Sequence, residues 1–376
     1  MLIINAIIEQ ISDLTHIQRR FLTEFFSVLL TFDGRATWAN LSRYSCFSER
    51  TMRRHAFLGL DFASFNSQIN LNRDVKIIAI DATTIKKSGK STYGLSKFWS
   101  SCVGKAVHGI EYSCVALIDP NSQGAFHLSA SQTPPEGNRI DFYITQIQSL
   151  KPNFPNSAKH IVADGYYAKI KFHKAVQELG LNLITKLRKD ARFFLPPPPK
   201  TGKKGRPKIK GDRVLADNLA NMITLSEGIV LKYQDLYVET FRQECLVVSV
   251  FHNNKLVMNL VSTDNEMPAE EVFRFYHARF QHEILFRDAK QHTGLGECQS
   301  RDQKSLYFHA NIALTAVNFA RLAADSKQPF SIYSQKRENL NQLIAKNIFQ
   351  HFKINPEVLI NDEFRKKILK IGCIYS

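Results

Sequence analysis

The sequence predicts a mixed α/β fold preceded by a helical segment, and three observations predict it. Residues 1 to about 70 carry apolar side chains at helical spacing. From Val75 the pattern changes to short apolar runs, each followed by a turn or an amphipathic helix. Late in the chain, a long helical stretch carries Tyr276, Arg279, Glu283 and Lys290 at steps of three, four and seven residues. With 376 residues, 44% of them hydrophobic, the chain can build a sizeable core and two or three structural units.

The N-terminal segment reads as three helices. The first covers roughly Ile17–Leu30 and ends near Asp33-Gly34; the second covers Thr37–Ser45, with Trp38 and Leu41 on one side. After a short turn at Cys46-Phe47, Ser48 can cap a third helix, Glu49–Phe57. Two short helices joined by a tight turn fit a helix-turn-helix, whose third helix, with Arg50, Arg53, Arg54 and His55, would meet DNA. An ordinary three-helix bundle with a basic face fits the same residues.

The strands come next. VKIIAID reads as a buried strand ending in Asp81, followed by strands over 106–119 and 124–131. Arg139–Leu150 reads as a helix, HIVAD as a short strand ending in Asp164, Ala168–Leu179 as a helix and LNLITKL as a strand. Near Asp190 the composition shifts: LPPPPKTGKKGRPKIKG (195–211) is proline-rich and basic, an arm or loop. Strands over Ile229–Val238, Cys245–Phe251 and Lys255–Ser262 lead into the long helix, and a second apolar helix covers Leu306–Ala324.

Net charge is +16 and the isoelectric point is about 9.5, which points to a polyanionic partner, nucleic acid or an anionic membrane. The longest apolar runs, FFSVLL and CLVVSVF, are too short to span a bilayer, so no membrane partner is expected. The N-terminus shows no basic leader or cleavage-like tail. Six scattered cysteines without a C-x2-C pair argue against a zinc site or a disulfide framework and fit a reducing, cytoplasmic setting.

The chemistry-bearing residues are carboxylates. Asp81 and Asp164 each follow a short apolar strand, where open α/β sheets place their sites. With Glu283 from a packed helix, three hard oxygen donors converge, a set suited to two Mg²⁺ or Mn²⁺ ions acting on a phosphodiester. Taken alone, an aspartate closing a strand is more often a turn residue or helix cap. Arg279 offers a planar fork for phosphate oxygens, Lys290 a point charge and Tyr276 a neutral donor; Arg287 lies near the same stripe. His282 lacks the H-E-x-x-H spacing of a zinc protease.

In these elements the chain resembles the DDE transposases of bacterial insertion sequences. The resemblance rests on strand-Asp81-x-Thr83, strand-Asp164-Gly165-Tyr-Tyr-Ala, and Tyr276-x2-Arg279-x3-Glu283-x6-Lys290, which fits the YREK signature of the cut-and-paste group. It covers roughly residues 75–325. It implies an RNase H-like core with a β-rich insertion between the second aspartate and the glutamate, and an N-terminal helical DNA-binding domain. The implied division is 1–70 helical domain, 71–190 first part of the core, 191–264 basic arm and β-rich insertion, 265–325 second part of the core, and 326–376 helical tail. Asp81, Asp164 and Glu283 would be the metal ligands and catalytic residues; Tyr276, Arg279 and Lys290 would hold phosphates at the transposon end. The implied activity is metal-dependent cleavage of DNA at terminal inverted repeats, then joining of the 3′-OH to target DNA, by a homodimer on paired ends. A nuclease without strand transfer and a catalytically inactive DNA-binding derivative are the alternatives. Some relatives cut through a hairpin and hold a flipped base with an aromatic residue of the insertion; both tryptophans here, Trp38 and Trp99, lie outside 191–264.

Two basic stretches add DNA contacts. Lys203, Lys204 and Arg206 lie in a Lys-Lys-Gly-Arg-Pro-Lys run similar to an AT-hook, which can enter the narrow minor groove of A·T-rich DNA. A solvated basic linker is the plainer reading. Between Lys186 and Lys210 there are ten basic residues against one acidic residue, Asp190, a density that makes binding strongly salt-dependent. Lys86, Lys87, Lys90, Lys97 and Lys105 crowd the stretch after Asp81, which Gly89 and Gly94 mark as a flexible loop.

Overall fold

The computed structural model describes residues 2–57, 59–69, 75–100, 103–121, 124–198, 208–226, 228–324, 330–355 and 361–374. The N-terminal helices are α1 (Leu2–Glu9), α2 (His16–Leu29), α3 (Trp38–Leu41), α4 (Glu49–Ala56) and α5 (Phe62–Ile69). Thr15 starts α2 with a capping box: its hydroxyl accepts from Gln18 N, and the Gln18 side chain accepts from Thr15 N. Phe21, Leu22, Phe25, Phe26 and Leu29 then fall on one buried face of α2. Ser48 caps α4, its Oγ accepting from Thr51 N at 3.3 Å. Ser48→Ala should therefore cost about 1 kcal/mol of stability, read by urea unfolding.

The strands are β1 (Ile77–Lys86), β2 (Ser96–Ser100), β3 (Lys105–Asp119) and β4 (Gly124–Gln132). Next come α6 (Arg139–Leu150), β5 (His160–Ala163), α7 (Ile170–Glu178) and β6 (Asn182–Leu187). The insertion supplies β7 (Phe193–Phe194), β8 (Arg213–Val214), β9 (Asn221–Ser226), β10 (Ile229–Val238), β11 (Gln243–His252) and β12 (Lys255–Ser262). Four main helices follow: α8 (Ala269–Ala278), α9 (Phe280–His292), α10 (Gln303–Ala323) and α11 (Ile332–Phe352).

At the centre the strand order is β4-β3-β1-β5-β6, with β1 antiparallel to β3 and parallel to β5. Three antiparallel strands continued by two parallel ones are the RNase H-like arrangement expected from the sequence. The insertion does not start a second sheet. β12 pairs antiparallel with β6, and β11 and β10 continue outward, so core and inserted strands share one sheet.

Each face of the sheet has its own core. On one side lie α9, α10 and the N-terminal helices, joined through aromatic contacts such as Phe26–Phe319 (4.4 Å) and Phe25–Phe308 (6.1 Å). On the other lie α6 and α7. Helix α10 carries two asparagines seven residues apart, on one face of the helix. Asn311 exchanges two hydrogen bonds with the Ala130 backbone (2.8 and 2.9 Å), and Asn318 does the same with His127 (2.8 and 2.8 Å). Asn66 of α5 adds a bond to Leu128 O at 3.0 Å. Among the described residues no helix is long and apolar enough to cross a membrane.

Three expectations are corrected. Strand β1 does not end at Asp81 but runs to Lys86, because β3 remains its partner after β5 has stopped. The long helix is two helices: at Arg279 the chain tightens by one residue, with Arg279 N bonding Tyr276 O and His282 N bonding Arg279 O. Residues 96–100, read as part of a flexible loop, form β2 on the edge of β3.

Candidate catalytic site

The site begins with the register of two parallel strands. The pairing of β1 with β5 ends at Ile80↔Ala163, so Asp81 and Asp164 are the next residues on neighbouring strands. Their environments differ. Asp81 continues in β1 and takes a bond from Ala82 N at 2.8 Å. Asp164 leaves the sheet and caps a single turn, accepting from Tyr166 N at 2.8 Å, while its carbonyl accepts from Thr185 Oγ1. Glu283 comes from the first turn of α9, which packs on β1 and β4.

Arg279 ties the carboxylates together. Its Nη1 donates to Asp81 Oδ2 at 3.2 Å and its Nη2 to Glu283 Oε1 at 2.8 Å. The tightened turn between α8 and α9 sets the guanidinium at the helix joint, facing the sheet. Burial works against its charge, yet Asp81, Tyr276 and Glu283 outweigh burial and hold it protonated more firmly than usual. Tyr276, in the last turn of α8, lies 5.7 Å from the guanidinium by its ring. Burial above all raises its phenol pKa, with Arg279 pulling back and Asp164 and Glu283 adding, so it stays a neutral donor. Lys290 reaches the same strand from the far end of α9, its Nζ 3.4 Å from Thr84 O.

Electrostatically the site is short of positive charge. Asp81 is pushed up to about 7, first by burial; Arg279 opposes this, and Asp164 and Glu283 add to it. Among the described residues no three His, Cys, Asp or Glu side chains are gathered closely enough to hold a metal ion as they stand. Arg279 stands between Asp81 and Glu283 instead. The donor chemistry nevertheless fits a hard divalent cation: Asp81 feels the charge of both other carboxylates, and a cation would relieve that repulsion. His282 takes no part in such a set. It is fully buried, packs on Phe286 at 4.5 Å and is lowered to about 3, first by burial, then by His127 and Arg279.

The structure thus brings Asp81, Arg279, Glu283 and Tyr276 together, with Asp164 beside Asp81 in register. Arg53 and Arg54 are exposed on α4, where Arg53 pairs with Glu49 and Arg54 is open to solvent. Arg287 turns to Asp288 at 3.4 Å. Lys203, Lys204 and Arg206 lie outside the described residues. Sequence reasoning missed two supports. Tyr167, beneath the aspartates, is fully buried, and its pKa is driven up first by burial and further by Tyr143, Asp81 and Asp164. Thr185 bonds the Asp164 carbonyl. The tyrosine could have been found from its place three residues after Asp164; nothing in LITKL marks the threonine.

A family model described as Transposase DDE domain matches residues 73–319. Among solved structures, the chain is similar to a piggyBac transposase synaptic complex with hairpin DNA, at 12% identity and a TM-score of 0.45, covering 96% of this chain and 79% of that one. It is also similar to the NurA nuclease from Sulfolobus solfataricus, at 12% identity and a TM-score of 0.26, covering 82% and 95%. At these TM-scores neither likeness carries weight for function. No curated protein matches the chain.

Proposed function

The chain belongs to the family of transposase DDE domains, and from that membership we propose that it cuts DNA at the ends of a mobile element and joins the freed 3′-OH to target DNA. The observation that carries this reading is Asp81 and Asp164 side by side in register, with Glu283 bridged to Asp81 through Arg279.

Asp81, Asp164 and Glu283 would hold Mg²⁺ or Mn²⁺, which in bound form supplies Lewis-acid activation of the phosphodiester and of its attacking hydroxyl. The chain's own residues do the rest. Arg279 holds its guanidinium between Asp81 and Glu283, so phosphate binding draws its fork from carboxylate to phosphate oxygens. Tyr276, held neutral, can donate to a phosphate oxygen without adding charge. Lys290, bonded to the backbone of β1 beyond Asp81, sets a cation along the path of the strand leaving the site. Arg53 and Arg54 on the capped α4, and the basic run with Lys203, Lys204 and Arg206, would grip DNA away from the chemistry. A homodimer on paired ends fits the need to cut both ends together.

The test is incubation of the protein with duplexes made from the DNA on either side of its gene, in Mg²⁺ or Mn²⁺, scoring cleaved and joined products separately. Cleavage with joining is the expected result. Cleavage without joining would replace this reading with a nuclease, and tight binding without either would leave a DNA-binding protein on a transposase fold.

A further inference from the structure

The stretch 82–110 holds five lysines and no aspartate or glutamate. The pairing of β1 with β3 ends at Lys86↔Gly109. Beyond it β3 continues, with Lys97↔His108, Trp99↔Ala106 and Ser100↔Lys105 paired on β2. The two strands form a ribbon that leaves the body of the sheet. Its inner face is anchored: Phe98 is fully buried, the Arg139 guanidinium lies 4.9 Å from its ring, and Arg139 reaches Glu111 at 3.7 Å.

Among the described residues nothing covers its other face. Trp99 is 64% exposed, and its cross-strand neighbour Ala106 is too small to shield an indole. Lys97, two residues away, shares that face. Side-chain alternation also fixes which face this is. Asp81 lies opposite Cys114, and stepping by twos along β3 from Cys114 arrives at His108 and Ala106, the partners of Lys97 and Trp99. The exposed indole and its lysine therefore share the sheet face of the candidate catalytic aspartate. The eight residues from Cys114 to Ala106 span about 27 Å. Along a DNA duplex that is about eight base pairs.

We propose that the β2–β3 ribbon is a duplex-gripping arm, with Trp99 seated in the minor groove about eight base pairs from the scissile phosphate and Lys97 on a flanking phosphate. A polyanion is the occupant that the charge of this stretch selects. An apolar side chain presented beside a cation is a form in which proteins enter the minor groove and pry at base steps. The proposal rests on the reading of the chain as a DNA-processing protein and adds where the duplex runs.

The chain has two tryptophans, and Trp38 is 7% exposed, so acrylamide reads Trp99 almost alone. The experiment titrates the full chain with a fluorescein-labelled 30-base-pair duplex of mixed sequence. Binding is followed by anisotropy and indole access by acrylamide quenching. Protection of the accessible indole should track binding. Trp99→Ala should weaken binding on the order of tenfold, with an unchanged melting temperature because little buried surface is lost. Lys97→Ala should shrink the slope of log K against log salt by about one. Binding with the indole still accessible and the slope unchanged would overturn the arm and leave DNA binding intact. No binding at any salt concentration would overturn the DNA reading itself, and the arm with it.

Discussion

Asp81→Asn is expected to abolish DNA cleavage, by at least about 10²–10³-fold, and at the same time to raise the melting temperature at pH 8. The two effects share one cause. Burial, with Asp164 and Glu283, outweighs Arg279 and pushes the Asp81 carboxyl up to about 7. Unfolded, the same group titrates near 4. Between about pH 4 and 7 the folded chain therefore holds a proton that the unfolded chain has lost, and stability falls as pH rises through that window. Above pH 7 the penalty is constant and worth a few kcal/mol. Asparagine mimics the protonated side chain, so the variant should show no such fall. A divalent cation that binds only the folded site should raise the wild-type melting temperature at pH 8 and leave that of Asp81→Asn unchanged. Thermal melts of both proteins from pH 5 to 8, with and without Mg²⁺ or Mn²⁺, check every part of this. A wild-type melt that ignores both pH and metal would remove the charge argument for the site.

The second large effect concerns Arg279. Its side chain is 15% exposed and joins Asp81 to Glu283. Arg279→Ala would leave the buried Asp81 carboxylate without its cation. Removing one partner of a buried ion pair costs about 3–5 kcal/mol. Because Glu283 is 44% exposed, solvent screens its share, and a loss of about 2–4 kcal/mol at pH 8 is expected. At pH 5.5 Asp81 is protonated, and most of the loss should disappear. Arg279→Lys keeps the charge but not the fork, so it should recover stability better than cleavage. Urea unfolding at the two pH values separates these outcomes: an equal loss at both would mean that Arg279 acts by packing and not by charge.

Much of this fold could be read from the sequence wherever one local rule acts alone. The helix at Arg139–Leu150 and the cap at Ser48 were legible because periodicity and a short polar residue decide them. The order Asp81, Asp164, Glu283 was legible because apolar runs mark strands. What was not legible depends on partners far along the chain. Asp81 looks like a strand end because the apolar run stops there, yet β3 carries the strand on through Ala-Thr-Thr-Ile-Lys. Residues 96–100 follow Gly89 and Gly94 in a lysine-rich stretch that reads as a loop, and only pairing with 105–109 makes them a strand. The turn at Arg279 has no glycine or proline to announce it. Nor could spacing reveal that this arginine faces two of the carboxylates rather than standing beside one of them on a stripe.

The asparagines of α10 have a consequence for assembly. Outward-facing backbone groups on a border strand normally invite a stranger's strand, and with it uncontrolled polymerisation. Here the amide groups of Asn311 and Asn318 occupy those donors and acceptors at Ala130 and His127, as a neighbouring strand would. That border is closed from within the molecule. A second copy of the chain therefore cannot join this one by extending the sheet at β4.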